Sequence, residues 1–281
     1  MGVSIATLLS MASSELSKTS PSPRLDAEVL LAHVLETPRS HLHARPEQRV
    51  EVKQMRLFAL LVVARCKGRP IAHLTGKRDF WSLSFKVTAA TLIPRPETEL
   101  LVEETLRVVP VGARWYIADL GTGSGAIALS LAYERPHCKL VATDISRLAL
   151  GVARENAARL KITNVEFLEG EWFTPIASRR FAVIVSNPPY VANDDPHLRS
   201  GDLRFEPRRA LTGGPDGLAA IRKIVLRAPT HLESGGALLL EHGYDQAERV
   251  RSLLASAGFS YIHSVSDLTG ISRVTGGRFE D

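Results

Sequence analysis

The residues best suited to chemistry in this 281-residue chain are Ser186-Asn187-Pro188-Pro189-Tyr190. An exocyclic nitrogen conjugated to a carbonyl or a heteroaromatic ring is a weak nucleophile, because its lone pair is delocalised. A site that makes it react must orient it and return electron density to it, and two acceptors on its two N–H groups do both. The Asn187 side-chain oxygen can take one N–H. The Pro188 main-chain carbonyl can take the other, since proline fixes φ and contributes only an acceptor. Tyr190 can lay its ring against the planar group, limiting rotation and excluding water. Asn187, Pro188 and Tyr190 are therefore the candidate catalytic residues, and Asn187, Pro188, Pro189 and Tyr190 the candidate substrate contacts. The plain alternative is a rigid Pro-Pro turn with an interior tyrosine.

A second group lies upstream. Gly121-Thr122-Gly123-Ser124-Gly125 follows an apolar run and leads into a helical pattern beginning near Ala126. Glycines there let the backbone turn sharply and leave no Cβ between chain and ligand, while a helix N-terminus offers free N–H groups. The spacing is GxGxG rather than the GxGxxG of dinucleotide sites, so the loop alone is weak testimony. The next apolar run ends at Asp144, 23 residues after Gly121, where an acid can accept both ribose hydroxyls of a nucleoside. Capping of the helix near Arg147 is the competing role for Asp144. Trp172 follows the third run and can stack on a base or simply be a buried indole. A nucleoside site beside a nitrogen-orienting site reads as methyl transfer from S-adenosylmethionine, an in-line displacement in which orientation carries most of the catalytic demand. Such a displacement requires no metal and no strong base, and the nine scattered histidines offer no ligand set.

These groups need a frame. The apolar stretches Tyr116 to Leu120, Leu140 to Thr143, Val165 to Leu168, Phe181 to Ser186 and Ala237 to Leu240 read as buried strands. Ala126 to Ala132, Arg147 to Leu160 and Leu218 to Leu232 read as crossover helices. Alternation of this kind predicts an α/β fold, a doubly wound, mostly parallel sheet covered on both faces. Tyr261 to Ser266 and Arg273 to Phe279 are expected as an antiparallel pair at its edge. From Ser4 to about Ala72 the apolar residues recur at helical spacing, broken by Pro21, Pro23, Pro38 and Pro46, which predicts a bundle of four or five helices. Between them, Phe80, Leu83, Phe85 and Val87 suggest a hairpin. The expected domains are a helical bundle over 1–75, a hairpin linker over 76–95 and a catalytic domain over 96–281.

Composition narrows the partners. The net charge of +5 lies wholly in the first 80 residues, with 12 Lys and Arg against 7 Asp and Glu; the remainder holds 23 of each. That is modest for a protein that neutralises many phosphates, so no stable nucleic-acid binding is expected. Two isolated cysteines, Cys66 and Cys138, and no apolar stretch near the length of a membrane span predict a cytoplasmic chain with no membrane partner, read as a monomer.

At these same residues the sequence resembles the release factor glutamine methyltransferases, the HemK/PrmC family, over nearly its whole length. The resemblance includes Arg24-Leu25-Asp26-Ala27-Glu28, Pro70 to Gly76, Leu92-Ile93-Pro94-Arg95-Pro96-Glu97-Thr98-Glu99, the glycine loop, Asn187 to Tyr190, and Arg204-Phe205-Glu206-Pro207. It implies a class I S-adenosylmethionine-dependent methyltransferase, a Rossmann-like, seven-stranded domain, preceded by a helical substrate-recognition domain. The target it implies is the glutamine of the Gly-Gly-Gln loop of bacterial peptide chain release factors. Gly121 to Gly125, Asp144, Trp172 and Asn187 carry over as cofactor contacts, with Arg95, Pro96 and Glu97 lining the mouth of the pocket. Glu171 and Gly276 depart from the family pattern, where Asp and Leu are common. The first could shift an adenine-side contact, and the second could loosen a sheet edge.

The two-acceptor site also suits an adenine N6 in nucleic acid, and a ribosomal-protein glutamine methyltransferase is closer still. A binding module without turnover is a third possibility, since fold does not imply function. That module would not be expected to keep the glycine loop, Asp144 and Asn187 together.

Overall fold

Seven strands in the order β5-β4-β3-β6-β7-β9-β8 form the frame of the computed structural model, which describes residues 2–280. The chain enters through α1 (Ile5–Leu16), α2 (Pro23–Leu35), α3 (Arg39–Ala44), α4 (Val52–Cys66) and α5 (Ile71–Thr75), where the spacing predicts four or five helices. Ser4 caps α1, its hydroxyl accepting from the Thr7 amide, and Pro23 opens α2 where a missing donor does no harm. These helices, with Arg199–Phe205, make one compact unit around Ile5, Leu9, Leu30, Leu31 and Leu42. Within it the buried Asp26 accepts from Ser20 Oγ and Arg65 Nε at 2.7 Å each, and Arg65 also reaches Asp202 at 3.2 Å. The Arg24-to-Glu28 segment is thus a packed and ion-paired helix start, with Glu28 held by Arg24 and Arg39.

The second unit, Arg78–Leu198 with Glu206 onward, contains the sheet. A hairpin of β1 (Lys77–Phe80) and β2 (Leu83–Lys86) precedes α6 (Glu99–Val108). The sequence reading treats this hairpin as a linker, yet Phe80 and Phe85 are buried in the same core as Leu101, Ile117 and Leu129. Two phenylalanine rings that find apolar partners are worth several kcal/mol left in that core, so the hairpin packs as part of the sheet unit. Then follow β3 (Tyr116–Leu120), α7 (Ala126–Glu134), β4 (Lys139–Asp144), α8 (Arg147–Leu160), β5 (Val165–Glu169) and β6 (Phe181–Ser186). After α9 (Arg208–Leu211) and α10 (Ala219–Arg227) come β7 (Leu232–Glu241), α11 (Ala247–Ser256), β8 (Phe259–Ser266) and β9 (Ser272–Phe279).

β3 to β7 pair in parallel, and their central strands are apolar on both faces because helices cover both. The chain runs outward from β3 to β5 and then returns to β6 on the other side of β3. That reversal opens a crevice between the carboxyl ends of β3 and β6, where this architecture binds ligands. Ser186 Oγ donates to the Leu120 carbonyl at 2.6 Å and ties the two strand ends together there.

Two details depart from the sequence reading, the start of β7 and the effect of Gly276. Leu232 begins β7 rather than ending a helix, because α10 stops at Arg227 and Pro229 sits in a short 3-10 turn. The expected antiparallel pair of β8 and β9 does close one side of the sheet, with β9 the inner strand, between β7 and β8. Gly276 therefore loosens no edge: a Cβ there would come within 2.6 Å of Leu239 Cδ2, so the leucine of the neighbouring strand occupies that space. Among the described residues no helix is long and apolar enough to cross a membrane.

Candidate active site

Every candidate cofactor residue lies at the carboxyl edge of β3, β4, β5 or β6, at the last residue of the strand for Asp144 and on the loops that leave the strands for the rest. Gly121, Gly123 and Gly125 all take positive φ, of 78°, 58° and 85°. The Gly121 and Thr122 amides donate to the Thr143 carbonyl at 2.8 and 2.9 Å, so the loop is anchored on β4 as it turns. A Cβ on Gly121 would stand 3.2 Å from the Trp172 ring, and one on Gly125 would meet Leu129 and Ala153. Around Gly123 there is open space within 4 Å of such a Cβ. Ser124 is buried, and its carbonyl accepts from Asn156 Nδ2 at 2.9 Å.

Asp144 grips this loop: its Oδ2 accepts from the Gly123 amide and its Oδ1 from the Ser146 amide, each at 2.8 Å. Burial raises its carboxyl above the ordinary range, and the two amide bonds pull it back down. Capping of α8 falls instead to Ser146, whose hydroxyl accepts from the Ala149 amide. Trp172 sits at a left-handed φ of 49°, uncommon for a bulky side chain. Thr143 Oγ1 holds its carbonyl at 3.0 Å, while its indole Nε1 is buried without a hydrogen-bond partner. An orphaned donor, open space at Gly123 and an acid at the strand end fit a polar nucleoside, the class to which S-adenosylmethionine belongs. Glu171 turns outward to Lys223 at 2.9 Å, so its extra methylene meets solvent rather than this site.

The second half of the site is built on β6. Asn187 donates from Nδ2 to the buried Thr98 hydroxyl at 3.1 Å. That leaves Asn187 Oδ1 and the Pro188 carbonyl without any hydrogen-bond partner among the described residues, two acceptors on adjacent residues. Tyr190 is held at both ends. Its hydroxyl donates to Glu241 Oε1 at 3.1 Å, and its carbonyl accepts from Gln246 Nε2 at 3.0 Å. Burial, then the Glu241 charge, pushes the Tyr190 phenol well above its usual range, so it stays a neutral donor. The Leu211-to-Gly217 segment lies against the same backbone, with Val191 and Thr212 bridged and Gly213 close to the Pro189 carbonyl.

Arg95, Pro96 and Glu97 stand before α6. Arg95 is ion-paired with the buried Glu206, whose other oxygen accepts from the Ile93 amide at 3.1 Å. Pro96 and Glu97 are exposed on a 3-10 turn that ends at Thr98. Sequence reasoning passed over Thr98, Asp119, Glu206, Glu241 and Gln246 as site residues. Asp119, one residue before the end of β3, is fully buried and accepts from Thr122 Oγ1 at 2.6 Å and from the Ala128 amide at 3.2 Å. A polar residue beside a glycine loop, and Glu241 closing the apolar run from Ala237 to Leu240, were the available signals.

A cleft of about 870 Å³ opens elsewhere, at the amino ends of β3, β4 and β5, lined by Tyr116, His137, Lys139 and Arg179. It lies across the sheet from the glycine loop, on the edge that parallel α/β sheets do not use for ligands. Among the described residues no group of His, Cys, Asp and Glu could hold a metal ion.

Comparison with known proteins places the chain in a family. A family model described as the PrmC N-terminal domain matches residues 7–76, and one described as the methyltransferase small domain matches residues 96–202. The release factor glutamine methyltransferase of Burkholderia pseudomallei is 50% identical over 270 residues, which cover 94% of this chain and 95% of its own. Its counterpart from Vibrio cholerae is 47% identical over 282 residues, covering 100% of this chain and 98% of its own. A solved methyltransferase from Pyrococcus furiosus, 18% identical, has a TM-score of 0.56 and covers 78% of this chain and 98% of its own, a likeness of fold alone. With a relative half identical from end to end, and a glycine loop and a pair of open acceptors at one sheet edge, the chain belongs to the release factor glutamine methyltransferase family.

Proposed function

We propose that this protein methylates the side-chain amide nitrogen of the glutamine in the Gly-Gly-Gln loop of peptide chain release factors, with S-adenosylmethionine as donor. The observation that carries the chemistry is the pair of open acceptors, Asn187 Oδ1 and the Pro188 carbonyl, beside the glycine loop. Membership of the family carries the choice of glutamine over an adenine amine.

S-adenosylmethionine, when bound, supplies an electrophilic methyl group on a sulfonium. Gly121 to Gly125 would hold its amino-acid and ribose portions with main-chain N–H groups, Asp144 its ribose hydroxyls, and Trp172 its adenine. Asn187 and Pro188 accept the two amide protons of the glutamine. This fixes the plane of the nitrogen and raises the electron density of its lone pair, as preorganised acceptors do where positive charge develops. Tyr190, immobilised by Glu241 and Gln246, closes the aromatic side of the pocket and keeps water away. The proton left on the methylated nitrogen is strongly acidic and passes to solvent, so orientation carries the reaction. Arg95, Pro96 and Glu97 form the mouth of the pocket, and the helical unit selects the protein that presents the glutamine.

The test is label transfer from radiolabelled S-adenosylmethionine to a release factor, to its Gln→Ala variant, to ribosomes and to DNA. Label on the wild-type factor alone is expected. Label on DNA, or label that persists on the Gln→Ala factor, overturns the reading.

A further inference from the structure

We propose that Gln246 is a positioning residue of the amide site: its carboxamide fixes the peptide that follows Tyr190 and, through it, the direction of the Pro188 carbonyl that accepts from the substrate. The inference rests on the function proposed above and adds to it a residue that touches neither substrate nor donor.

Gln246 stands immediately before α11, where Ser, Thr, Asp or Asn would ordinarily cap the helix, yet its side chain makes no cap bond. It turns back instead and is buried. Its Oε1 accepts from the Gly243 amide at 2.9 Å, and its Nε2 donates to the Tyr190 carbonyl at 3.0 Å, 56 residues away in sequence. A main-chain amide can only donate and a main-chain carbonyl can only accept, so a single orientation of the carboxamide satisfies both. Two glycines make room for it. A Cβ on Gly243 would stand 3.2 Å from Gln246 Oε1, and one on Gly217 would stand 2.6 Å from Nε2 and 2.2 Å from the Tyr190 oxygen. Among the described residues no other donor reaches that oxygen.

The bond matters because of what lies between it and the acceptor. At one end of Asn187-Pro188-Pro189-Tyr190, the Ser186 hydroxyl is tied to the Leu120 carbonyl at 2.6 Å. At the other end the peptide between Tyr190 and Val191 is held on both edges, its carbonyl by Gln246 and its amide by the Leu211 carbonyl at 2.9 Å. The rings of Pro188 and Pro189 lock φ at the two residues between, so a shift at either end passes along the segment with little to absorb it. No donor of the protein holds the Pro188 carbonyl itself among the described residues, so its direction depends on those two ends. With the Gln246 donor gone, the Tyr190 peptide can swing about its remaining bond to Leu211. The Pro188 carbonyl then turns off the line to the substrate N–H. The glycine loop, anchored separately on β4, stays where it is.

The experiment compares Gln246→Met and Gln246→Glu with wild type, measuring turnover on a release factor, its KM, and S-adenosylmethionine affinity by calorimetry. Methionine keeps the length of glutamine without its donor, so kcat should fall by roughly tenfold, the effect of a buried carbonyl left without its partner. The KM and the cofactor Kd should each stay within about threefold, because the contact at stake is one that strengthens in the transition state. Glutamate keeps the shape and can donate to the Tyr190 carbonyl only while protonated, and burial raises a carboxyl into the range near neutrality. The ratio of Gln246→Glu to wild-type kcat should therefore fall by roughly tenfold as pH rises from about 5.5 to about 8.5, and taking the ratio removes whatever else titrates in both proteins. A side chain that merely fills space would give no such pH dependence. Wild-type kcat in Gln246→Met, a Gln246→Glu ratio that does not change with pH, or a cofactor Kd that weakens in step with kcat each overturn the proposal. Should either variant not fold, the other decides alone. Wild type separates the two readings: absence of label on the release factor defeats the function, whereas label with variants as fast as wild type defeats only the role of Gln246.

Discussion

The Gly123 amide donates to Asp144 Oδ2 at 2.8 Å, joining the glycine loop to the acid at the end of the next strand across 21 residues of sequence. One carboxylate thus shapes the loop and keeps lone pairs for a ligand. Asp144→Ala is expected to weaken S-adenosylmethionine binding by roughly tenfold or more, the size of a lost charge-assisted hydrogen bond. Calorimetry reads it, and kcat at saturating donor should fall less than the affinity does. An unchanged Kd would remove Asp144 from the cofactor site.

Asn187→Ala tests the other half. It deletes one of the two proposed substrate acceptors and leaves the loop intact, so kcat should fall by roughly a hundredfold or more while the cofactor Kd stays within threefold, the pattern for an interaction strengthened in the transition state. Near-normal turnover would refute the two-acceptor mechanism.

Backbone packing against Tyr190 makes a sharper structural prediction. Gly217 adopts a φ of +75°, and a Cβ there would come within 2.2 Å of the Tyr190 carbonyl oxygen. Gly217→Ala should cost about 1–3 kcal/mol of stability and slow turnover, since either the left-handed backbone or the Tyr190 peptide must move. Gly151, within α8, has nothing within 4 Å of its Cβ position. Gly151→Ala should instead raise stability by about 0.5–1 kcal/mol, because alanine loses less backbone entropy in a helix. Denaturant unfolding of both variants checks the pair, and a neutral Gly217→Ala would contradict the packing.

Buried carboxyls set a pH dependence. Burial pushes Asp119 up to about 7, against the Thr122 hydroxyl and the Ala128 amide that draw it down. In the unfolded chain an aspartate titrates near about 4. Between those values the folded protein holds a proton that the unfolded chain has released. This carboxyl therefore favours folding at low pH, and that contribution is lost as pH rises through about 7. Asp119→Asn has no such proton to lose, so its Tm should fall less steeply than that of wild type between pH 5 and pH 8. Glu241, likewise raised to about 7 by burial, leaves part of the slope in the variant. Parallel curves would show that Asp119 does not titrate there.

By itself the sequence determined the features that depend on neighbours along the chain. Apolar runs of strand length between helical patterns specified the parallel sheet. The glycine loop, Asp144 and Asn187 to Tyr190 each follow directly on a strand, so their edge of the sheet followed from the strand assignments. Tertiary structure decided what crosses long intervals of sequence. Thr98 lies 89 residues before Asn187, Glu241 lies 51 after Tyr190, and Glu206 lies 111 after Arg95. Nothing local marks these as partners, because a threonine or a glutamate has the same pattern in sequence whether it faces solvent or closes a buried hydrogen bond. The hairpin is a further case, since its two phenylalanines are read as turn-flanking residues until the core that takes them is built. Hydrogen-bond direction and burial belong to the folded environment, and it is there that the Asn187 carboxamide acquires an edge that can serve a substrate.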